Sequence, residues 1–323
     1  MSSTPVGPAG QAANLVVAVL TYRRPDDILA ALPLLVEQVQ SVAAPGFAVD
    51  ILVVDNDPQC SAETGVRAFA AQSPVAVRYV SEPTPGISAA RNRALAESAD
   101  RDLLVFIDDD ERPTPVWLAN LVEVYRRRGP TAVVGPVVSE FETIPEPWIE
   151  QGRFFLRRRM PTETALDVAA TNNLLLDLRR IRHHGLAFDL AFGIGGGEDT
   201  LFTRTLHHRG ELMLWCDEAI VVDVVPTTRL TRRWVTHRAF SSGNSWSLTS
   251  LRLAGSASGR LRVRAESTAR GVVRMAGGAA RTVVGAATGS IGQRARGVRT
   301  IARGAGLVAG AWGYSYQEYR RKT

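Results

Sequence analysis

Lysine is all but absent from this 323-residue sequence: Lys322 is the only one, and every other cationic side chain apart from histidine is an arginine. A preference that complete reflects codon usage as much as a need for guanidinium geometry, so no arginine is read as a bidentate ligand on its type alone. Cysteine is scarce too. Cys60 and Cys216 lie far apart and fit neither a disulfide framework nor a zinc-ligand spacing, which favours a reducing interior and makes the cytoplasm the expected location. Residues 1–13 have neither the basic start nor the apolar stretch of a signal peptide and read as a disordered leader. Long apolar runs are missing: arginines interrupt every candidate before it reaches the roughly 18–20 residues of a membrane-spanning helix, which argues against a spanning protein. A Walker loop is excluded by the missing Gly-Lys-Ser/Thr ending, no serine nucleophile elbow is present, and neither cysteine has a motif around it.

Acidic residues are what the C-terminal end lacks. From Arg229 onward there are 18 basic and 2 acidic residues, a net +16, whereas the chain before it carries 20 basic and 30 acidic, a net −10. The sequence is an acidic body with a cationic tail. Few aromatics are available there to stack on bases and no nucleic-acid motif is present, so the partner implied is an anionic membrane surface and not a nucleic acid. Arg270, Arg274 and Arg281 share one helical face, as do Arg296, Arg299 and Arg303, leaving Val272, Val273, Val283, Val284, Leu307 and Trp312 for the other. These are cationic amphipathic helices. Their many glycines weaken intrinsic helicity, so a membrane surface or a packing partner is needed to order them.

The body alternates strands with helices. Asn14–Leu20 is a β-branched apolar run that stops at Thr21-Tyr22-Arg23-Arg24-Pro25, after which Ile28, Leu32, Leu35 and Val39 recur at helical spacing. Pro25 suits a first helical turn, and Pro33 predicts a kink. Ile51–Val54 and Ala76–Val80 are further strands, Gly86 opens an Ala-rich helix through Leu95, and Leu103–Ile107 is a fully apolar strand ending in Asp108-Asp109-Asp110-Glu111. Thr114-Pro115 caps the next helix, which stops at Gly129. Later come the apolar run Leu174–Leu176, a glycine-rich stretch from Gly193 to Gly197, and a late strand over Ala219–Val225. Strands apolar on both faces indicate a parallel sheet covered on both sides, with polar signals after the strands marking the ligand edge.

Three consecutive aspartates are electrostatically awkward, since two charges roughly 4 Å apart repel by about 4 kcal/mol at an effective dielectric of about 20. Either they form a solvated turn that caps the next helix or they bind a divalent cation, and their position after an apolar strand favours the cation, Mg²⁺ or Mn²⁺. Glu198-Asp199 follows the glycines at a helix start. Such acids are common there, but a carboxylate in that place is also suited to taking a proton from an acceptor hydroxyl. The segment from Gly86 to Arg93 puts a turn glycine before a helix with Arg91 and Arg93, a place for anionic phosphate. His183-His184 and His207-His208 lack a partner spacing for metal and read as surface pairs.

In order, Thr21-Tyr22-Arg23-Arg24, Val53-Val54-Asp55-Asn56, Gly86 with Ala90-Arg91-Asn92, Phe106-Ile107-Asp108-Asp109-Asp110 and Gly197-Glu198-Asp199-Thr200-Leu201-Phe202 with Arg204 resemble the family 2 glycosyltransferases of the GT-A fold. The resemblance runs from about Asn14 to Gly243. It implies an inverting transfer of one sugar from a nucleotide-sugar donor, with Thr21, Tyr22, Arg23, Asp55 and Arg91 on the nucleotide and Asp108 and Asp109 on the nucleotide sugar. It places the metal on Asp110, the most direct ligand, and Asp108, with Asp199 as base and Glu198 beside it. Where many relatives carry a histidine that reaches the metal, this chain has Asp223, a substitute ligand. Arg232-Arg233-Trp234 resembles the end of the processive-synthase motif, but Leu230 stands where its glutamine belongs, so polymerisation is not expected.

The expectation is therefore an α/β chain with a GT-A-type, Rossmann-like, mostly parallel sheet, helices on both faces and a cationic helical extension. Residues 14–130 form the nucleotide-sugar half, 131–245 the acceptor-binding and catalytic half, and 246–323 the arginine-rich tail. The acceptor is a saccharide, a lipid-linked saccharide or a small molecule, and peripheral attachment to the inner face of a membrane goes with the tail. Removing residues from about 260 onward should then abolish membrane association and leave donor hydrolysis intact. Two rivals remain: a sugar-nucleotide nucleotidyltransferase, whose glycine-rich start with a lysine is missing here, and a non-catalytic membrane-surface binding protein.

Overall fold

The computed structural model describes residues 14–316, so the leader expected over 1–13 lies outside the described residues. In chain order the first elements are β1 (Asn14–Thr21), α1 (Pro25–Val42), β2 (Ala48–Asp55), α2 (Glu63–Ala70), β3 (Val77–Ser81), α3 (Ile87–Glu97) and β4 (Leu103–Asp108). β2 begins three residues before its apolar run because Ala48, Val49 and Asp50 pair with Asn14, Leu15 and Val16 of β1. Pairing, not hydropathy, sets that boundary. α2, only eight residues long, has no counterpart in the sequence reading; Val66 is its one buried residue, with Phe69 packed beside the same core. α1 starts on Pro25 and continues through Pro33.

Then follow β5 (Glu111–Pro113), α4 (Trp117–Arg128), β6 (Ala132–Val134), β7 (Val137–Phe141), α5 (Pro147–Gly152), β8 (Asn173–Asp177), α6 (Leu178–His183), α7 (Glu198–His208), β9 (Met213–Trp215) and β10 (Val221–Val225). Seven strands form one sheet in the order β3-β2-β1-β4-β8-β6-β9. The pairs among β1 to β4 are parallel, β8 runs antiparallel to β4 and β6, and β6 is parallel to β9. The mostly parallel α/β sheet is as expected. β10, the late strand, joins instead a small sheet in the order β5-β10-β7.

Alternation along β1 assigns the two cores. Leu15, Val17 and Val19 meet Ile28, Leu32 and Val39 of α1 and Trp117, Leu121 and Tyr125 of α4. Val16, Ala18 and Leu20 meet Ala90 and Ala94 of α3 together with Phe188, Phe202 and Leu206. Burial on both faces is what a run with no polar alternation requires.

The chain divides into two compact units, one built from residues up to 138 with 158–188 and 202–223, the other from 139–157, 189–201 and 224 onward. This differs from the division expected at 130 and 245. β6, β8 and β9 return to the sheet that β1 to β4 begin, so the first unit draws on both expected halves.

The second unit contains α8 (Arg232–Leu253), α9 (Ala257–Ala287) and α10 (Ile291–Ala311). Glycine is its packing residue. Gly271, Gly278 and Gly285 of α9 recur every seven residues, and the first two face Gly304 and Gly297 of α10. A methyl group added to Gly304 would lie 2.6 Å from the Gly271 carbonyl oxygen, and one added to Gly278 would lie 2.8 Å from that of Gly297. On another face of α10, Gly306 and Gly310 abut α8 at Phe240 and Asn244, and Gly243 of α8 abuts Arg303. Ser247 Oγ donates to the Leu307 carbonyl at 2.8 Å, and buried Asn244 clasps the segment after α10 through Tyr314 O and Tyr316 N. The packing partner that the glycines need is thus supplied by the helices themselves. Cutting the chain near 260 would strip α9 and α10 from α8.

Candidate active site

The parallel register brings three strand ends level, since Thr21 pairs with Asp55 and Leu20 with Asp108. At that edge the three aspartates separate by direction. Asp109 is buried, whereas Asp108 and Asp110 keep partial exposure. Thr21 Oγ1 donates to Asp109 Oδ2 at 2.8 Å, and Arg24 donates through one guanidinium nitrogen to Asp109 Oδ1 at 3.0 Å and Asp110 Oδ2 at 2.9 Å. Burial pushes the Asp109 carboxyl up to about 7; Arg24 and the Thr21 hydrogen bond oppose the rise, while Asp110 and Asp108 add to it. Despite its own burial, Arg24 is held charged by Asp109 and Asp110. Asp109, expected on the nucleotide sugar, is therefore directed inward as the anchor of the first loop.

Glu111 continues the alternation. It is buried, accepts the Asp108 backbone N–H at 3.3 Å and the Asn172 amide at 2.5 Å, and stands opposite Asp223 in the β5–β10 register. Asp223, also buried, is thereby set one strand over from the residue that follows Asp110.

The end of β2 is a second organised turn. Asp55 is fully buried and accepts three hydrogen bonds, from the N–H groups of Asp57 at 2.9 Å and Ala62 at 3.1 Å and from the Tyr79 hydroxyl at 2.9 Å. Burial and this carboxylate raise the Tyr79 pKa well above its ordinary value. Asn56 donates to the carbonyls of Glu82 and Thr84, both at 2.7 Å, and accepts the Gly86 N–H at 3.1 Å, which ties this turn to the start of α3. Gly86 has φ +117°, a conformation that glycine adopts without strain. Buried Arg91, one turn into α3, lies over the Phe188 ring at 5.5 Å. Arg23, in a left-handed conformation with φ +54°, lies over the Tyr22 ring at 5.3 Å and reaches Asp57 at 3.4 Å.

In the second unit, Glu198 and Asp199 open α7 after Gly196 and Gly197, both at positive φ. Glu198 is buried and Asp199 half-buried, which leaves Asp199 as the more accessible carboxylate. A methyl group on Gly197 would come within 2.9 Å of Ser245 Cβ, so α8 backs this turn, and Arg252 of α8 pairs with Asp189 at 2.8 Å just upstream.

Sequence reasoning named Thr21, Asp108 and Asp110 at this edge but missed the work of Arg24, Tyr79, Glu111 and Asn172. For Arg24, Glu111 and Asn172 the advance signal was adjacency to the polar clusters; Tyr79, inside a strand, carried none. His184, read as a surface residue, pairs with Glu211 at 2.5 Å.

Among the described residues no group of three or more His, Cys, Asp and Glu side chains is arranged to hold a metal by itself. The candidate donors, Asp108 and Asp110 with Asp223 nearby in register, are carboxylates, and one or two carboxylates completed by substrate phosphate and water are how Mg²⁺ or Mn²⁺ sits with nucleotides. The residues fit a cation that enters with a phosphorylated substrate.

The succinoglycan biosynthesis protein ExoM of Rhizobium meliloti (strain 1021) is 33% identical over 236 residues, covering 72% of this chain and 74% of its own. In fold, the chain is similar to the mannosyltransferase PcManGT from Pyrobaculum calidifontis, solved with GDP-Man and Mn²⁺, at 17% identity and TM-score 0.62 over 96% of this chain and 91% of that one. Residues 1–349 of S. aureus TarS give a TM-score of 0.52 at 13% identity, covering 89% and 90%. The Glycosyl transferase family 2 pattern matches residues 16–177, from β1 through β8 and across both organised turns, so with the ExoM relationship the chain belongs to glycosyl transferase family 2 and is a glycosyltransferase.

Proposed function

We propose that this glycosyltransferase moves one sugar from a nucleoside-diphosphate sugar to an acceptor hydroxyl, with inversion, in a single in-line displacement. The observation that carries the reading is the pair Asp108 and Asp110, kept accessible at the end of a parallel strand while Asp109 is turned inward to Thr21 and Arg24. The likeness to a mannosyltransferase solved with GDP-Man and Mn²⁺ supports the donor class. Thr21, Tyr22, Arg23 and Arg91 bind the nucleotide end, and Asp55 contributes by fixing the β2 turn. Asp199 takes the acceptor's proton as its oxygen bonds to the anomeric carbon; the bond from that carbon to the diphosphate oxygen breaks, and its electron pair leaves with the nucleoside diphosphate. Glu198 supports the turn that presents Asp199. Asp110 and Asp108, with Asp223 as a further carboxylate, would hold Mg²⁺ or Mn²⁺, which when bound neutralises charge on the diphosphate.

The relative in succinoglycan biosynthesis supports a saccharide acceptor. The cationic C-terminal helices support an acceptor carried on lipid, with the enzyme peripheral to an anionic membrane.

Nucleoside-diphosphate release from a panel of nucleotide sugars, with and without Mn²⁺, tests the reading. Asp110→Asn should abolish metal-dependent release, and Asp199→Asn should slow transfer about 10³-fold with donor binding near normal. Pyrophosphate release from a nucleoside triphosphate and a sugar phosphate would show nucleotidyl transfer instead. Normal turnover by Asp199→Asn would remove the base.

A further inference from the structure

The outward surface of α9 inverts the usual order of a helix in water. Because Gly271, Gly278 and Gly285 seat one side of α9 on α10, the opposite side must face out. That side carries Val272, Val273, Ala276, Ala280, Val283 and Val284, all exposed, with Val273 at 72% and Val283 at 67%. Between 269 and 287 the only charged residues are Arg270, Arg274 and Arg281, which lie together on one flank of the strip. No helix among the described residues is long and apolar enough to cross a membrane, so this strip is suited to lying along a surface.

The flank leads into a cluster of cations without carboxylates. Arg299 of α10 donates to the carbonyls of Gly152 and Arg153 and has Arg281, Arg296 and Arg153 as charged neighbours. Burial, then these like charges, hold its pKa below the ordinary arginine value, and burial with Arg274 and Arg299 does the same to Arg303. Among the described residues, none of Arg153, Arg274, Arg281, Arg296, Arg299 and Arg303 makes a salt bridge. Guanidinium groups gathered in this way, with no acid to offset them, match phosphate oxygens.

We propose that α9 docks the enzyme on an anionic lipid bilayer, its valine–alanine strip entering the headgroup boundary while the arginines of α9 and α10 bind lipid phosphates. This rests on the peripheral reading above and deepens it by naming the face. The alternating contributions are separable: the strip supplies apolar burial, and the flank supplies charge that salt screens.

Co-sedimentation of the full chain with vesicles of phosphatidylcholine, alone or mixed with phosphatidylglycerol, tests the proposal. Binding only to the mixed vesicles is expected. Arg274→Gln with Arg281→Gln should lower the partition coefficient by about fivefold per arginine. Val273→Asp with Val284→Asp should abolish binding; both positions are exposed, and Val273→Ser with Val284→Ser replaces that pair if circular dichroism shows disturbed folding. A wild-type chain that ignores phosphatidylglycerol defeats the peripheral reading itself. Wild-type binding that none of the variants alters overturns the α9 face alone, and loss only in the arginine variant removes the strip. A doubling of mass in light scattering that disappears in the valine variant would make the strip a contact between copies and overturn the proposal.

Discussion

The two units reach close packing by opposite means. The first fills its interior with large β-branched and aliphatic side chains on both faces of the seven-stranded sheet, whereas the second removes side chains, so that backbones of α8, α9 and α10 touch at glycines. The lesson is that a glycine's cost in helix propensity is no guide to its worth once a neighbouring backbone occupies the place of its side chain. In the sheet, stability comes from what is added; in the helices, from what is left out.

That contrast can be broken by substitutions of opposite sense. Leu52→Ala, in a fully buried β2 position, should cost about 2–5 kcal/mol in denaturant unfolding because it opens a cavity. Gly304→Ala should cost about 1–3 kcal/mol for the reverse reason, since the new methyl meets the Gly271 carbonyl. If Gly304→Ala is neutral, the glycine contact is not what holds the helices. Arg24→Gln tests the candidate active-site edge: without its cation, the Asp109–Asp110 pair should lower the melting temperature by an amount worth about 1–2 kcal/mol, and Mn²⁺ should restore most of it. Failure of Mn²⁺ to restore stability would count against a cation at Asp110. The smallest effect sharpens the comparison within a single helix. Gly277 of α9 is exposed, and a methyl added there meets nothing within 4 Å, so Gly277→Ala should stabilise by about 0.5–1 kcal/mol. Gains at Gly277 and losses at Gly304 would show that position, not residue type, decides.

Legibility in the sequence followed the same line. β1 and β4 could be read because uninterrupted apolar runs leave a buried strand as the simplest outcome, and Asp108 and Asp110 because they end such a run. β6 and β7 could not, since strands this short or this mixed acquire their pattern only from partners far away in sequence. Asp109 shows the limit within one motif: three identical residues in a row carry no mark of which turns inward, and Thr21 and Arg24, 88 and 85 residues away, decide it.

Taken alone, the sequence determined the family, the parallel strands, the run of carboxylates that ends β4 and the asymmetry of charge, because each is written in local residue type or in the order of motifs. Tertiary structure decided the antiparallel insertion of β8, the burial of Asp55 and Asp109, and the conversion of a glycine-rich cationic tail into a packed trio of helices. Those depend on which backbone lies within a few ångströms of a given residue, and no periodicity along the chain records that distance.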